Sequence, residues 1–392
     1  MAWKVQTVEK SRAEFARRAL AGEKTKTALC QEYNISRPTG DKWIERYQNG
    51  ESMSERSKAP FHTPNRTNEA TEQAIVELRR KRPTMGAKKL KRMLENQGHT
   101  SPAYSTINAI LHRHGLIEKE ASAAATPYIR FEKASPNEMW QADFKGHFAM
   151  ANGQRCHPLT MLDDHSRYSL CIDAKENECH ESTAESFMRV FERYGLPLVI
   201  LCDNGNPWGT SQSVGYTKFE VWLMDLGILV KHGRPRHPQT QGKEERFNGT
   251  LYRECIKGVE FEHFPHAQAL FDEYRCFYNL ERPHHALDLA TPAERYRQSA
   301  RKIPQRVDEW EYPVGVIVAR VKTSGYLTLR GQGYFLSEAF GGKSVGLLDS
   351  GDKDGTFFVL YRGFCVAKLN VEQRCVIAKF AFFWDNSGSA SL

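Results

Sequence analysis

The chain has 392 residues, 40% of them hydrophobic and 26% charged, with a formal net charge of +8. That length exceeds what one core usually serves and points to two to four domains. No window of about 18 uncharged apolar residues occurs, which excludes a membrane-spanning helix, and "MAWKVQTVEKSRAEF" lacks the apolar core of a secretory signal.

Nine cysteines stand without a C-x-x-C pair. This is the usage expected of reduced thiols in a cytoplasmic protein, not of a disulfide framework or a zinc ribbon. The charge is unevenly spread. Residues 1–135 hold 25 Lys and Arg against 15 Asp and Glu, a net +10, and the remainder sums to −2. A basic N-terminal third on a near-neutral remainder suits a polyanionic partner.

In chain order, "TKTALCQEYNISRPTGDKWIERYQNG" reads as a short helix over about Lys26–Tyr33, a tight "NIS" turn, and a second helix. Ser36 is the expected N-cap, with Pro38 in the first turn. Trp43, Ile44 and Tyr47 form the expected core face, and Arg37, Lys42 and Arg46 lie among the polar positions. Helix, short turn and cationic helix is the helix-turn-helix plan, here over residues 1–50. Residues 51–68, rich in Ser, Pro and Arg, read as a linker. A second unit of the same kind spans 69–117. Its third helix is expected to start with Ser101 as N-cap and Pro102 at the first position. Lys88, Lys89, Lys91, Arg92, Arg113, His112 and His114 are expected on its surface. Residues 118–135 read as another linker.

Beyond it the pattern becomes mixed. "MWQADFKGHF", "CHPLTMLDD" and "RYSLCIDA" read as strands and "ESTAESFMRVFERYG" as a helix. "LPLVILCDNG" is a buried strand, "KFEVWLMDLG" a helix, "ILVKHG" a strand, and "KEERFNGTLYRECIKG" and "AQALFDEYRCFYNLE" are helices. This is an α/β domain over 136–300 with helices on both faces. Six short strands between turn signals over 306–380 suggest a small β-barrel. The chain is thus expected to be a multidomain α+β protein.

Three acids stand where such a core exposes them. Asp143 is in the first strand, Asp203 where "LVILCD" enters a turn, and Glu245 in the first turn of a helix, beside Glu244. Three clustered carboxylates repel unless cations join them. Two Mg²⁺ ions can stabilise both oxygens of an in-line phosphoryl displacement, and Mg²⁺ prefers carboxylate oxygen. Asp163, Asp164 and Asp225 compete for the same role, and spacing alone does not choose among them. "SEAFGGKS" approaches a phosphate-binding loop but begins with Ser337 and sits among strands, so nucleotide binding is not expected there.

In sequence, "WQADFKG", "LDDHSRY", "ILCDNGNPWG", "HGRPRHPQTQGKEERFNGTL" and "YNLERPHHAL…TPAERY" resemble the DDE transposases of bacterial insertion sequences, in the retroviral-integrase superfamily. The resemblance covers most of the chain. It implies a ribonuclease-H-like catalytic core in which Asp143 and Asp203 match the first two catalytic acids. The third acid lies three residues after the motif glycine, here Gly242, so Glu245 is the match. The resemblance further implies Mg²⁺, with Mn²⁺ able to substitute, no ATP, and DNA as partner, both element ends and target. It implies a homo-oligomer, dimer or tetramer, assembled on DNA in the cytoplasm and nucleoid. Asn204 and Gly205 would shape the turn at Asp203. Apart from the resemblance, the tryptophans read as core, with bracing of that turn the alternative role for Trp208. Arg236, His237, Gln241, Lys243, Arg246 and Asn248 would contact DNA near the site, and the cations of the helical units elsewhere along it. The zinc module of retroviral integrases is not matched, because residues 1–135 hold one cysteine, Cys30. No zinc is therefore expected.

Two other readings keep the same fold. One is a DNA-binding regulator without catalysis, which the presence of all three acids disfavours. The other is a stand-alone nuclease, which would need neither recognition unit.

Overall fold

The computed structural model describes residues 7–55, 67–117, 132–203, 205, 207–208, 215–233, 242–351, 355–384 and 390–391. The chain divides into two compact units, Met1–Arg66 and Thr67–Leu392.

The first unit holds α1 (Val8–Leu20), α2 (Lys26–Glu32) and α3 (Arg37–Gln48). Asn34 takes φ 50°, the left-handed turn between α2 and α3, a conformation that Asn tolerates. Ser36 accepts the Thr39 amide as N-cap, and Pro38 sits in the first turn, as the sequence suggests. Phe15, Leu29, Cys30 and Trp43 form the core. Gly40 lets α3 approach, since a Cβ there would stand 2.8 Å from the Cys30 sulfur and 3.0 Å from the Phe15 ring. Tyr47, expected in the core, is exposed. The one buried tryptophan of this face carries cations instead: Arg12, Lys42 and Arg46 lie 4.0, 4.6 and 4.9 Å from the Trp43 ring.

The second unit begins with α4 (Glu69–Lys81), α5 (Ala87–Asn96) and α6 (Tyr104–Arg113). The start of α6 corrects the sequence reading. Its N-cap is Ala103, because the Ser101 hydroxyl turns to the Pro102 carbonyl and not to a helix amide. Ile75, Leu90, Met93, Ile107 and Leu111 share one apolar cluster with Phe247, Leu251, Phe271 and Phe277 farther along the chain. The three helices therefore lie against the α/β region instead of burying their apolar faces alone.

The central sheet is formed by β1 (Met139–Phe144), β2 (Phe148–Ala149), β3 (Arg155–Asp163), β4 (Ser169–Lys175), β5 (Val199–Cys202) and β6 (Leu229–His232). Its path is β2-β3-β1-β5-β6, with β4 also paired to β3. β1 pairs antiparallel with β3 and parallel with β5, and β5 pairs parallel with β6. β1 is thus central, between an antiparallel and a parallel half. Around the sheet run α7 (His180–Tyr194), α8 (Lys218–Asp225), α9 (Gly242–Leu251), α10 (Phe264–Leu280) and the single turn α11 (Pro292–Arg295). Side chains of α10 cover the edge at β4. Gln268 bonds the Ala174 amide and the Ile172 carbonyl, and Asn279 bonds both backbone groups of Ser169. Such pairing closes an edge that would otherwise recruit another strand.

After α9 the helix widens into a π turn, Tyr252–Ile256. Glu254 in this turn receives a fork from Arg282 at 2.8 and 2.9 Å, the Thr84 hydroxyl at 2.9 Å and the Tyr274 hydroxyl at 3.1 Å. Thr84 belongs to the turn before α5, so this carboxylate ties the helical unit to the core. Lys89 lies beside it, partly buried, its ammonium pushed down to about 8 by burial and by Arg282.

The C-terminal region holds β7 (Ile317–Arg320), β8 (Tyr326–Leu329), β9 (Gln332–Phe335), β10 (Ser344–Asp349), β11 (Thr356–Tyr361), β12 (Phe364–Asn370), β13 (Cys375–Trp384) and β14 (Ala390–Ser391). Among the described residues this is an antiparallel sheet of order β14-β13-β12-β11-β10-β7 plus the hairpin β8-β9. The expected closed barrel gives way to an open sheet. Its apolar face, including Leu347, Phe357, Val359 and Leu369, clusters with Met139, Leu201, Val221 and Met224 of the core, so it needs no closure on itself. "SEAFGGKS" forms a 3-10 turn, Glu338–Phe340, capped by Ser337.

Arg282→Met would leave Glu254 buried without its guanidinium, a change that costs about 3–5 kcal/mol. Urea unfolding should register that loss. A loss below about 1 kcal/mol would mean that the Arg282 fork does not stabilise the buried Glu254.

Candidate active site

Asp143 and Asp203 meet because β1 and β5 are parallel neighbours, with Gln141 in register with Leu201. Asp143 lies near the C-terminal end of β1, and Asp203 follows the last residue of β5. Adjacent strands run about 4.8 Å apart, so both carboxylates emerge at one sheet edge. This is where ligand sites form in open α/β sheets.

The electrostatics register the closeness. Burial first, and the neighbouring Asp203 second, push the Asp143 carboxyl up to about 7. The Asn248 amide donates to Asp143 Oδ2 at 3.0 Å, which opposes that rise. Asp203 Oδ1 accepts the Gly205 amide at 3.0 Å. A Cβ on Gly205 would stand 3.1 Å from Asp203 Oδ2, so any larger residue here would crowd the carboxylate. His232 on β6 bonds the Asp203 carbonyl at 2.7 Å and Glu220 at 3.0 Å. Burial opposes charge on this imidazole, but its bonds to Cys202, Glu220 and the Asp203 carbonyl hold it above the usual histidine range. Behind both acids Trp208 packs on Phe144, Phe187 and Phe219, in the core cluster expected of the tryptophans.

On α9 the two adjacent glutamates part. Glu244 is buried, with Oε1 accepting the Thr160 hydroxyl at 2.6 Å. Burial holds its carboxyl well above the usual range, Thr160 opposes this, and Asp143 adds to it. Glu245 is exposed. At about 100° per residue, Glu244 lies about 40° to one side of Asn248 and Glu245 about 60° to the other. Glu244 thus faces the sheet and Glu245 the solvent side of the residue that reaches Asp143. The structure brings together Asp143, Asp203, Asn248 and Glu244, and leaves Glu245 at their margin. Among the described residues no three His, Cys, Asp or Glu side chains converge as metal ligands would.

The other expected site residues are placed as follows. Lys243 pairs with Asp164 at 2.5 Å, and Arg246 is exposed. Arg37, exposed, bonds Thr27, and Lys42 lies 3.7 Å from Glu55. Arg46 donates to the Ser54 carbonyl. Lys88 is exposed, whereas Lys89, Lys91 and Arg92 are partly covered, contrary to expectation. Arg92 pairs with Glu294 and Arg113 with Glu72. Asn204, Arg236, His237 and Gln241 lie outside the described residues. The competing acids have other partners. Asp163 accepts Ser166 and the Asn137 amide, Asp164 accepts Gln141 and Lys243, and Asp225 binds Lys343, Arg362 and Tyr361 of the C-terminal sheet. Thr160 and His232 escaped the sequence reading. A lone hydroxyl inside the apolar run "HPLTMLD" was the available signal for Thr160, and His232 left none.

The Asp143 carboxyl has a folded value of about 7 against an ordinary 3.8. The folded state therefore holds a proton that the unfolded state has lost, and stability falls as pH rises through that window. With divalent ions removed by chelator, Asp143→Asn should raise stability by roughly 1–3 kcal/mol above neutral pH and by nothing near pH 3.5. Thermal unfolding across pH checks this, and a gain that persists at acid pH would contradict it.

Residues 133–238 and 226–292 match two models of the integrase core domain. Residues 11–59 match a helix-turn-helix domain and residues 39–111 a homeodomain-like domain. An uncharacterized 31.7 kDa protein of insertion element IS407 from Burkholderia multivorans is 28% identical over 59% of this chain and 82% of its own. An uncharacterized 39.2 kDa protein of insertion element IS476 from Xanthomonas euvesicatoria is 27% identical over 60% and 66%. The HTLV-2 integrase catalytic core domain, solved in complex with magnesium, matches at 18% identity and a TM-score of 0.32, covering 42% of this chain and 99% of that one. The chain thus matches the integrase core domain over residues 133–292 and a helix-turn-helix domain over residues 11–59, and it is similar over about three fifths of its length to proteins of two bacterial insertion elements.

Proposed function

We propose that the chain cuts and joins DNA at the ends of a mobile element, using Asp143, Asp203 and Glu245 as the acids that hold divalent cations. The observation that carries this reading is the pairing of Asp143 and Asp203 at one sheet edge, with Asp143 pushed up to about 7 by burial and its neighbour. Two neighbouring carboxylates relieve their repulsion by keeping a proton, as the raised Asp143 does, or by sharing a cation. The donors are oxygens only, which suits Mg²⁺ and its substitute Mn²⁺. When bound, such ions supply charge stabilisation to an in-line phosphoryl displacement. Glu245 completes the set because it lies on the open side of Asn248, whereas Glu244 is enclosed.

In the first reaction, water attacks the phosphorus at an element end. The bond to the 3′ oxygen breaks, and that oxygen leaves as a 3′-OH. In the second, the same 3′-OH attacks a target phosphodiester, and one P–O bond replaces another. Bond for bond the exchange is balanced, so no ATP is consumed. The helix-turn-helix units would hold the ends through the cations named above, with exposed Arg37, Lys42, Lys88 and Arg246 the most available. Coordinated joining of two ends calls for a homo-oligomer on DNA. No helix is long and apolar enough to cross a membrane among the described residues.

The test is strand transfer with purified protein, end-bearing DNA and Mg²⁺. Joined product should form with wild-type protein. Asp143→Asn, Asp203→Asn and Glu245→Gln should each lower it at least a hundredfold while leaving binding to element ends unchanged. Cut but unjoined DNA would favour a nuclease, and binding without either product would favour a DNA-binding regulator. Binding should weaken steeply between 50 and 200 mM salt, on the order of 10³-fold for six or more phosphate contacts.

A further inference from the structure

Strand β3 and helix α9 meet through buried polar side chains, Thr160 from the strand and Glu244 and Asn248 from the helix. Thr160 is fully buried on β3 and Glu244 is 1% exposed on α9. Thr160 stands opposite Asp143 in the β1–β3 pair. Its Oγ1 lies 2.6 Å from Glu244 Oε1, 3.1 Å from Asn248 Oδ1 and 3.1 Å from the Asp143 carbonyl oxygen. On the other side of the same amide, Asn248 Nδ2 donates to Asp143 Oδ2 at 3.0 Å. Four side chains are thereby linked, from a buried carboxyl to the acid at the sheet edge.

Packing alone does not account for Glu244. Its neighbours on the inner face of α9, Phe247 and Leu251, are apolar, and a carboxyl enclosed among them is costly. Its second oxygen has no hydrogen-bond partner among the described residues, so solvation does not repay that cost. What the carboxyl does achieve is a fixed Thr160 side chain, whose one hydroxyl hydrogen is shared in a three-centre bond between Glu244 Oε1 at 2.6 Å and Asn248 Oδ1 at 3.1 Å. The side-chain amide of Asn248 has an oxygen and a nitrogen that can exchange places by rotation. With its oxygen against the Thr160 hydroxyl, its nitrogen is turned to Asp143.

We propose that Glu244 is a positioning residue: by gripping the Thr160 hydroxyl it locks α9 to β3 and holds the Asn248 amide in the orientation that donates to Asp143. This rests on the reading of Asp143 as a catalytic acid for its consequence in activity, but not for its geometry. Glu244→Leu and Thr160→Val keep the volume and remove the grip. Glu244→Gln keeps an oxygen to accept the Thr160 hydroxyl, and Thr160→Ser keeps the hydroxyl.

The experiment uses the full chain with selectively ¹⁵N-labelled asparagine, the side-chain amide of Asn248 being assigned by its loss in Asn248→Ser. In wild-type protein that amide should exchange slowly with solvent. Glu244→Leu and Thr160→Val should speed its exchange at least tenfold, and Glu244→Gln and Thr160→Ser should leave it within about threefold. Calorimetric Mn²⁺ binding and strand transfer, run in parallel, should fall five- to tenfold in the first pair and recover in the second, with the thermal midpoint of Glu244→Leu no lower than wild type. An Asn248 amide that is unmoved in Glu244→Leu and Thr160→Val overturns the proposal. Glu244→Gln losing Mn²⁺ binding while Glu245→Gln keeps it also overturns it, because Glu244 would then be a ligand itself. A wild-type chain that makes no joined DNA, yet shows the Asn248 pattern, overturns the function proposed above and leaves the positioning role standing.

Discussion

Two carboxylates forced together at the end of two parallel strands are the constraint around which the rest of the molecule is arranged. Strand pairing fixes where Asp143 and Asp203 emerge, and a central β1 leaves neither much room to withdraw. The surroundings restrain each acid separately. Asn248 holds Asp143 from the helix above, Gly205 gives Asp203 its place in the turn, and His232 holds the backbone of Asp203 from β6. An aromatic wall around Trp208 backs both. Groups held this way are poised for charge that arrives later, the pattern expected when electrostatic preorganisation matters more than ground-state comfort.

The same economy extends outward. The helical unit of α4 to α6 shares its apolar interior with α9 and α10, and Glu254, one turn beyond α9, binds that unit through Thr84. The C-terminal sheet lies on the core through Met139, Leu201 and Val221, and Asp225 gathers three of its side chains. The helix carrying Glu244, Glu245 and Asn248 is therefore set between the strands that carry the aspartates and a helical unit expected to read DNA. A π turn directly after that helix is the kind of irregularity found near functional sites.

Much of this was legible in the residues. Apolar runs of four to eight residues located the core strands, Ser36 and Pro38 announced α3, and "LVILCD" running into "NGN" located Asp203 at a strand end. What stayed hidden was long-range. Adjacent glutamates look alike in sequence, and only packing against β3 shows that Glu244 turns inward and Glu245 outward. Asn248 read as a DNA contact because nothing local reveals that its amide reaches Asp143, 105 residues away. Lys89 and Arg92 read as surface cations because the residues they lie beside, Arg282 and Glu294, come from the far end of the core. The barrel was inferred from strand count, which is blind to an apolar face that packs on another layer.

The central claim is that the Asp143–Asp203 pair exists to hold cations. Anomalous diffraction from crystals soaked in Mn²⁺ tests it most directly. The account predicts density between these two carboxylates, lost in Asp203→Asn. Manganese bound only elsewhere, or at this edge equally well without Asp203, would contradict it.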